Sequence, residues 1–227
     1  LRIEVAQRLA RGDLCPLLGA GVVVGTVRKT SRYCSRMRVT SRYRVQDGQV
    51  VCELEGYGRT LVAPVELEPS SLVDLGDGYA RDAHRVVANG EIIEGADAAS
   101  FTVLRGGYAK DAFTIYYEGE RVEGPDDDAW YVPSFVAFGA RYIGDLRGVY
   151  CVRYGYDCYE TNLVEGASTN DFEEVGLTFG RAPLAGVLFN NGEADRSLDA
   201  ASFALRSRFF AVDKAGVYHL RYGGKPS

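Results

Sequence analysis

Few residues in this sequence could do covalent chemistry. There are two histidines, His84 and His219, and five cysteines, Cys15, Cys34, Cys52, Cys151 and Cys158. No Ser, His and Asp fall in an arrangement that would give a nucleophile its base, and nothing brings a Cys to a His. The cysteines form no CxxC pair, which a structural zinc site would ask for. An odd, sparse set is also unlike a disulfide framework. Cys151 and Cys158 can face each other across a hairpin, either as one bridge or as two buried thiols. The run Asp126-Asp127-Asp128 after Pro125 lacks the alternating ligands and the glycine of a calcium loop. It reads as the start of a helical turn, where acids favour the dipole. Gly19-Ala20-Gly21 with Gly25 has the makings of a phosphate cradle. No acid follows about 20 residues on to hold a ribose, so a buried strand with a Gly bend is the better reading. The expectation is a protein that is not an enzyme, with no cofactor and no metal.

What remains is surface and scaffold. The 227 residues are 46% hydrophobic and 25% charged, a globular balance with enough chain to build a core. The net charge of −5 is unevenly spread. Between residues 14 and 44 there are seven basic residues and no acid, leaving a net −13 on residues 45–227. The basic arm either docks on the acidic body or lies against a membrane or nucleic acid. The body itself would repel phosphates, so no nucleic-acid partner is expected there. Its acidic surface suits a basic protein partner. Residues 1–11 place Ile3, Ala6, Leu9 and Ala10 near one face of a short helix. The uncharged stretch 14–27 is shorter than the roughly 20 residues of a spanning helix. Membrane contact is therefore expected only through this N-terminal segment.

The dominant signal is an internal repeat. Residues 79–107, YARDAHRVVANGEIIEGADAASFTVLRGG, are followed from 108 by YAKDAFTIYYEGERVEGPDDDAWYV, an offset of 29. The pattern recurs with drift at Tyr142, Phe179 and Phe210, and a divergent first copy begins at Tyr43. A second landmark keeps the register: PSSL at Leu72, DAASF at Phe101, DDDAW at Trp130, TNDF at Phe172 and DAASF at Phe203. Periods of this size mean stacked supersecondary units.

Each repeat has a physical reading. A Tyr-led strand ends at an Asp (Asp82, Asp111, Asp145, Asp213) that turns the chain by bonding its own downstream backbone. A β-rich strand follows, then a hairpin turn at Asn89-Gly90, Glu118-Gly119 or Asn191-Gly192, then a third strand. The Asp of DAASF caps one helical turn whose Phe, Leu or Trp plugs the core. The predicted fold is mainly β: tandem meander repeats, each with one short helical turn, plus a short N-terminal helix. Residues 1–42 form the arm and residues 43–227 about five to six repeats. In doublets such as Tyr116-Tyr117 and Phe209-Phe210, one ring should be core and one exposed. The hairpin around Tyr150, Tyr154, Tyr156 and Tyr159 breaks the period and is dense in tyrosine. With Asp126, Asp127 and Asp128 it is the expected partner-binding surface, since exposed Tyr beside acids suits protein recognition.

The repeat resembles the DKNYY family of bacterial repeat proteins, on YAKDAFTIYYEG at 108–119, EGADAASF at 94–101, VDKAGVYH at 212–219 and DAASF at 199–203. The likeness runs over residues 43–222. It departs at Asp111-Ala112-Phe113, at Ala182-Pro183 where a turn Asp is expected, and at the longer hairpin from Cys151 to Tyr159. The family has no established general activity, so the resemblance implies fold more than function. The expected role is a non-catalytic protein-binding domain in the cytoplasm or periplasm of a bacterium, in its specific form an immunity protein that neutralises a secreted toxin. The alternatives are an envelope-associated structural repeat protein and, on the N-terminal glycines, a nucleotide-using enzyme.

Overall fold

A computed structural model describes residues 23–24, 40–56, 59–125, 128–154 and 159–220. The chain divides into two compact bodies, Leu1–Val103 with Gly107–Val122, and Leu104–Gly106 with Glu123–Ser227. Both are built from small sheets of consecutive strands. The first body opens with β1 (Val23–Val24), β2 (Thr40–Gln46), β3 (Gln49–Gly56) and β4 (Arg59–Val65), ordered β1-β4-β3-β2. Two meanders follow: β5 (Val73–Gly76), β6 (Tyr79–Arg81), β7 (Val86–Ala88) and β8 (Glu91–Ile92), then β9 (Thr102–Val103), β10 (Tyr108–Lys110), β11 (Ile115–Tyr117) and β12 (Glu120–Arg121).

The second body holds three sheets among its described residues. These are β13 (Val136–Ala137), β14 (Tyr142–Asp145), β15 (Gly148–Tyr154) and β16 (Tyr159–Leu163); β17 (Glu173–Gly176), β18 (Phe179–Ala182), β19 (Val187–Asn190) and β20 (Glu193–Asp195); and β21 (Ala204–Leu205), β22 (Phe210–Asp213) and β23 (Gly216–His219). Every described pairing is antiparallel except β1 with β4. The protein is thus mainly β, as the sequence predicts. The predicted N-terminal helix lies outside the described residues. Helical geometry in the repeats is limited to short turns, such as the 3-10 turns Pro69–Ser71 and Val132–Ser134.

One expectation needs correcting. The repeat contains a fourth strand, laid down between the plug and the Tyr strand as β5, β9, β13, β17 and β21. It is only two to four residues long, too short to show a period of two. The hairpin signals hold. Asn89 and Gly90 have φ of 49° and 88°, Glu118 and Gly119 48° and 90°, Asn191 and Gly192 51° and 83°. Two consecutive positive φ values are the signature of the hairpin turn whose twist matches its strands.

What stacks one repeat on the next is the plug and the leading tyrosine. Counted with strand β9, which it directly precedes, Phe101 packs against Tyr79 of the sheet before at 5.6 Å and Tyr116 of its own sheet at 5.5 Å. Phe172 lies likewise between Tyr142 at 5.0 Å and Phe189 at 5.9 Å, and Phe203 covers Phe179 at 4.9 Å. Burying one such ring contributes roughly 1.5–3 kcal/mol. The leading tyrosine then reaches forward with its hydroxyl. Tyr43 donates to Gly78 O (2.9 Å) and accepts from Gly90 N (2.8 Å). Tyr79 donates to Gly107 O (2.9 Å) and accepts from Gly119 N (3.1 Å). Tyr142 donates to Thr178 O (2.7 Å) and accepts from Gly192 N (3.1 Å). Each hydroxyl satisfies both turns of the following repeat's Tyr strand and hairpin.

The approach is close enough to require glycine. A Cβ on Gly119 would sit 2.7 Å from Ala88 Cβ, and one on Gly192 would sit 2.8 Å from Cys151 Cβ. Ala88, Cys52 and Cys151 are the residues paired across from Tyr79, Tyr43 and Tyr142, which explains why small side chains stand there. Both described cysteines are buried and free. Register sets Cys151 opposite Asn162, and Cys158 lies outside the described residues.

Candidate partner-binding surface

Four repeats turn their chain at the aspartate read from the sequence, and the structure shows how. Asp82 Oδ1 accepts from His84 N (2.7 Å) and Arg85 N (2.6 Å), while Oδ2 accepts from Glu68 N (2.8 Å). Asp111 accepts from Phe113 N and Thr114 N (both 2.7 Å), Asp97 N (3.0 Å) and the Tyr116 hydroxyl (2.8 Å). Asp145 takes Arg147 N (2.9 Å) and Tyr131 N (3.1 Å), and Asp213 takes Ala215 N (2.7 Å), Gly216 N (3.1 Å) and Asp199 N (2.9 Å). A serine of the plug turn completes the tip. Ser71, Ser100, Ser134 and Ser202 accept from the backbone N–H of Ala83, Ala112, Leu146 and Lys214. In the repeat that has Ala182-Pro183 instead of the Asp, Asp171 Oδ2 accepts from Leu184 N at 3.0 Å.

These carboxylates are structural. Burial alone would raise the Asp82 and Asp111 carboxyls, but the N–H groups aimed at them outweigh it and hold both below the usual range. For Asp145 burial is likewise outweighed, here chiefly by the Arg147 guanidinium at 2.7 Å. Side chains thus fix the backbone at the tips that Asp82, Asp111, Asp145, Asp171 and Asp213 hold, and apolar residues there are exposed. Phe113 is 78% exposed, Leu146 63% and Leu184 89%, and His84 is exposed at the same place in its repeat. In the same body as Phe113 lies a groove of about 260 Å³. It is lined by Ala88, Ile92, Ile93 and Gly119, with Glu91, Glu94, Glu118, Glu120 and Arg121.

Of the surface residues predicted from the sequence, one is placed differently. Tyr150 is buried, edge-on to Trp130 at 5.2 Å, and Trp130 also meets Phe135 at 5.2 Å and carries Arg147 at 5.7 Å over its ring. Tyr150 is therefore a core residue and offers a partner no face. Tyr154 and Tyr159 are paired across β15 and β16, and Tyr156 lies outside the described residues. Asp126 and Asp127 are also outside them. Asp128 is exposed, 3.9 Å from Arg147. The doublet expectation splits: Tyr116 is buried and Tyr117 half-buried against Tyr108 at 4.7 Å, but Phe209 and Phe210 are both exposed. The tip residues Phe113, Leu146 and Leu184 were missed. Their signal was an apolar residue one or two places after the turn, where a loop usually carries polar ones.

His219 lies edge-on to Phe210 at 5.3 Å. No group of three or more His, Cys, Asp or Glu is placed to hold a metal among the described residues. Nor is any described helix long and apolar enough to cross a membrane. Of the N-terminal glycine segment only Val23–Val24 is described, paired with Leu61 and Val62.

No curated protein and no solved structure matches the chain. The model of the DKNYY family matches residues 79–222. It begins later than the likeness read from the sequence, although Tyr43 makes the same pair of hydroxyl bonds as Tyr79. Since that match spans more than half of the chain, the chain belongs to the DKNYY family.

Proposed function

We propose that this chain is a non-catalytic protein-binding domain that engages a basic protein through its turn tips. The observation that carries the reading is the exposure of Phe113, Leu146 and Leu184 on tips whose backbone is already fixed by aspartate and serine. An apolar side chain held rigidly in water loses little freedom on binding, so pre-organisation favours its use in recognition. The repeat's own Asp, Ser and Tyr are engaged in holding the scaffold, which leaves the tips free to vary. The four glutamates around the groove, within residues 45–227 of net charge −13, favour a partner of positive sign. Neutralisation of a basic secreted toxin is the specific role that fits this chemistry.

The test is capture of partners from the source cell by the intact chain and by Phe113→Ser and Leu184→Ser variants. A single stoichiometric basic protein, retained by the parent and lost by at least one variant, is the expected result. Equal retention by both variants would move the surface away from the tips, and failure of the folded chain to retain any protein would overturn the reading.

A further inference from the structure

Two of the hairpin turns are Asn-Gly, a pair whose own atoms can modify it. Glycine has no side chain to hinder its nitrogen, so that nitrogen can attack the amide carbon of the asparagine before it. At Asn89-Gly90 and Asn191-Gly192 the attacking atom is already engaged. Gly90 N donates to the Tyr43 hydroxyl at 2.8 Å, and Gly192 N donates to the Tyr142 hydroxyl at 3.1 Å. The asparagine backbone is held beside it. Asn89 N donates to Gly78 O at 2.7 Å and Asn191 N to Thr178 O at 2.9 Å, the same carbonyls that accept from those hydroxyls. Asn89 Oδ1 also accepts from the buried Ser41 hydroxyl at 3.0 Å. One tyrosine of the preceding repeat thus clamps each Asn-Gly bond. In the turn after β11, Glu118 replaces the asparagine while Gly119 keeps its bond to Tyr79, so the clamp is present without the reactive amide.

We infer that Asn89 and Asn191 are latent deamidation sites gated by the joints between repeats. When a joint opens, the freed glycine N–H gives its proton to hydroxide and the nitrogen attacks the asparagine Cγ. The N–Cγ bond forms, the Cγ–Nδ2 bond breaks and ammonia leaves. Water then opens the succinimide at either carbonyl, leaving aspartate or isoaspartate, with nothing oxidised or reduced. Isoaspartate lengthens the main chain by one atom, in a turn whose two positive φ values match its strands. A joint that has opened for long enough is therefore marked covalently and no longer closes in register. Local opening belongs to the unit that opens rather than to the whole fold, so each site records its own joint.

Peptide mapping by mass spectrometry, after the full chain is held at mildly alkaline pH, tests this. Both asparagines should persist in the folded parent and convert rapidly in denaturant. Tyr142→Phe should speed conversion of Asn191 by about tenfold or more, the factor for losing one net hydrogen bond, and leave Asn89 at the parent rate. Tyr43→Phe should do the converse. A folded parent that deamidates as fast as the denatured chain overturns the inference, and so does a Tyr142→Phe variant whose Asn191 rate is unchanged. Should a variant unfold outright, both sites will rise together, and the parent in sub-denaturing urea then decides. Conversion of Asn191 that rises in step with amide exchange of Gly192 sustains the gate; exchange that rises without conversion overturns it.

Discussion

Tyr142→Phe removes one oxygen atom and should loosen one joint between repeats. The hydroxyl donates to Thr178 O at 2.7 Å and accepts from Gly192 N at 3.1 Å, so both a carbonyl and an N–H of the following repeat lose their partner. The ring stays, and with it the contact to Phe172 at 5.0 Å. A lost net hydrogen bond costs about 1 kcal/mol, and an orphaned N–H at a buried joint adds about 1–3 kcal/mol, so the change should destabilise by about 2–4 kcal/mol. In a stacked array this is a nearest-neighbour term, so the loss should appear first at the joint. Trp130 is the single tryptophan and lies in the Tyr142 repeat, which makes its fluorescence in a urea titration a local probe. Amide exchange at Gly192 gives the second reading: 2.8 kcal/mol corresponds to about a hundredfold loss of protection. A stability change under about 0.5 kcal/mol, with Gly192 still protected, would refute the idea that the tyrosine hydroxyl joins the repeats.

Three further outcomes follow from the same geometry. Tyr150→Ala should destabilise by about 3–5 kcal/mol, the cost of emptying a buried aromatic site, and a thermal melt reads it. The pH dependence has two opposed parts. Asp82, Asp111 and Asp145 have folded-state values below the unfolded carboxyl near 3.9, so their stabilisation is present above about pH 4 and is lost as pH falls through the folded values. Glu174 is raised by burial, against the pull of the Arg141 and Tyr142 N–H groups at 2.9 Å, so its contribution is present below about pH 4.3 and is lost as pH rises through its folded value. Glu174→Gln, neutral throughout and still an acceptor, should melt at pH 7 no lower than the parent; a clear drop would show that the charge itself is needed. Finally, burial pushes the Cys52 thiol up to about 11 and raises Cys151, so maleimide followed by peptide mapping should find both modified only in denaturant.

The architecture was legible because its signals are local. The 29-residue offset from Tyr79 to Tyr108, the Asp turns, the Asn-Gly hairpins and the buried plugs Phe101, Trp130, Phe172 and Phe203 can all be read within one repeat. The joints could not be read that way. Tyr142 Oη meets Gly192 across 50 residues, and nothing near either residue announces the other. Glu174 looks like one more surface acid, yet its carboxylate fills the space a Cβ on Gly139 would need, at 2.3 Å. Tyr150 misled for a related reason. It sits in a tyrosine-dense, out-of-period hairpin, but strand alternation turns it inward onto Trp130, a partner 20 residues upstream. The tip residues stayed hidden because an apolar side chain in a sequence reads as core until the backbone shows that it points outward.

The stack also has a grammar of descent. Each repeat reaches forward with a tyrosine or its ring and backward with a plug, so it carries complementary halves of two joints. A segment of 29 residues copied in tandem would therefore arrive already fitted to the neighbour before it and the neighbour after it. Lengthening such a protein asks for no new contacts, only for recombination in register. Drift can then concentrate on the tips, which no joint constrains. Phe179 shows how far a joint can drift: it has given up the hydroxyl while keeping the ring, and the following repeat still closes over it through Phe203 at 4.9 Å.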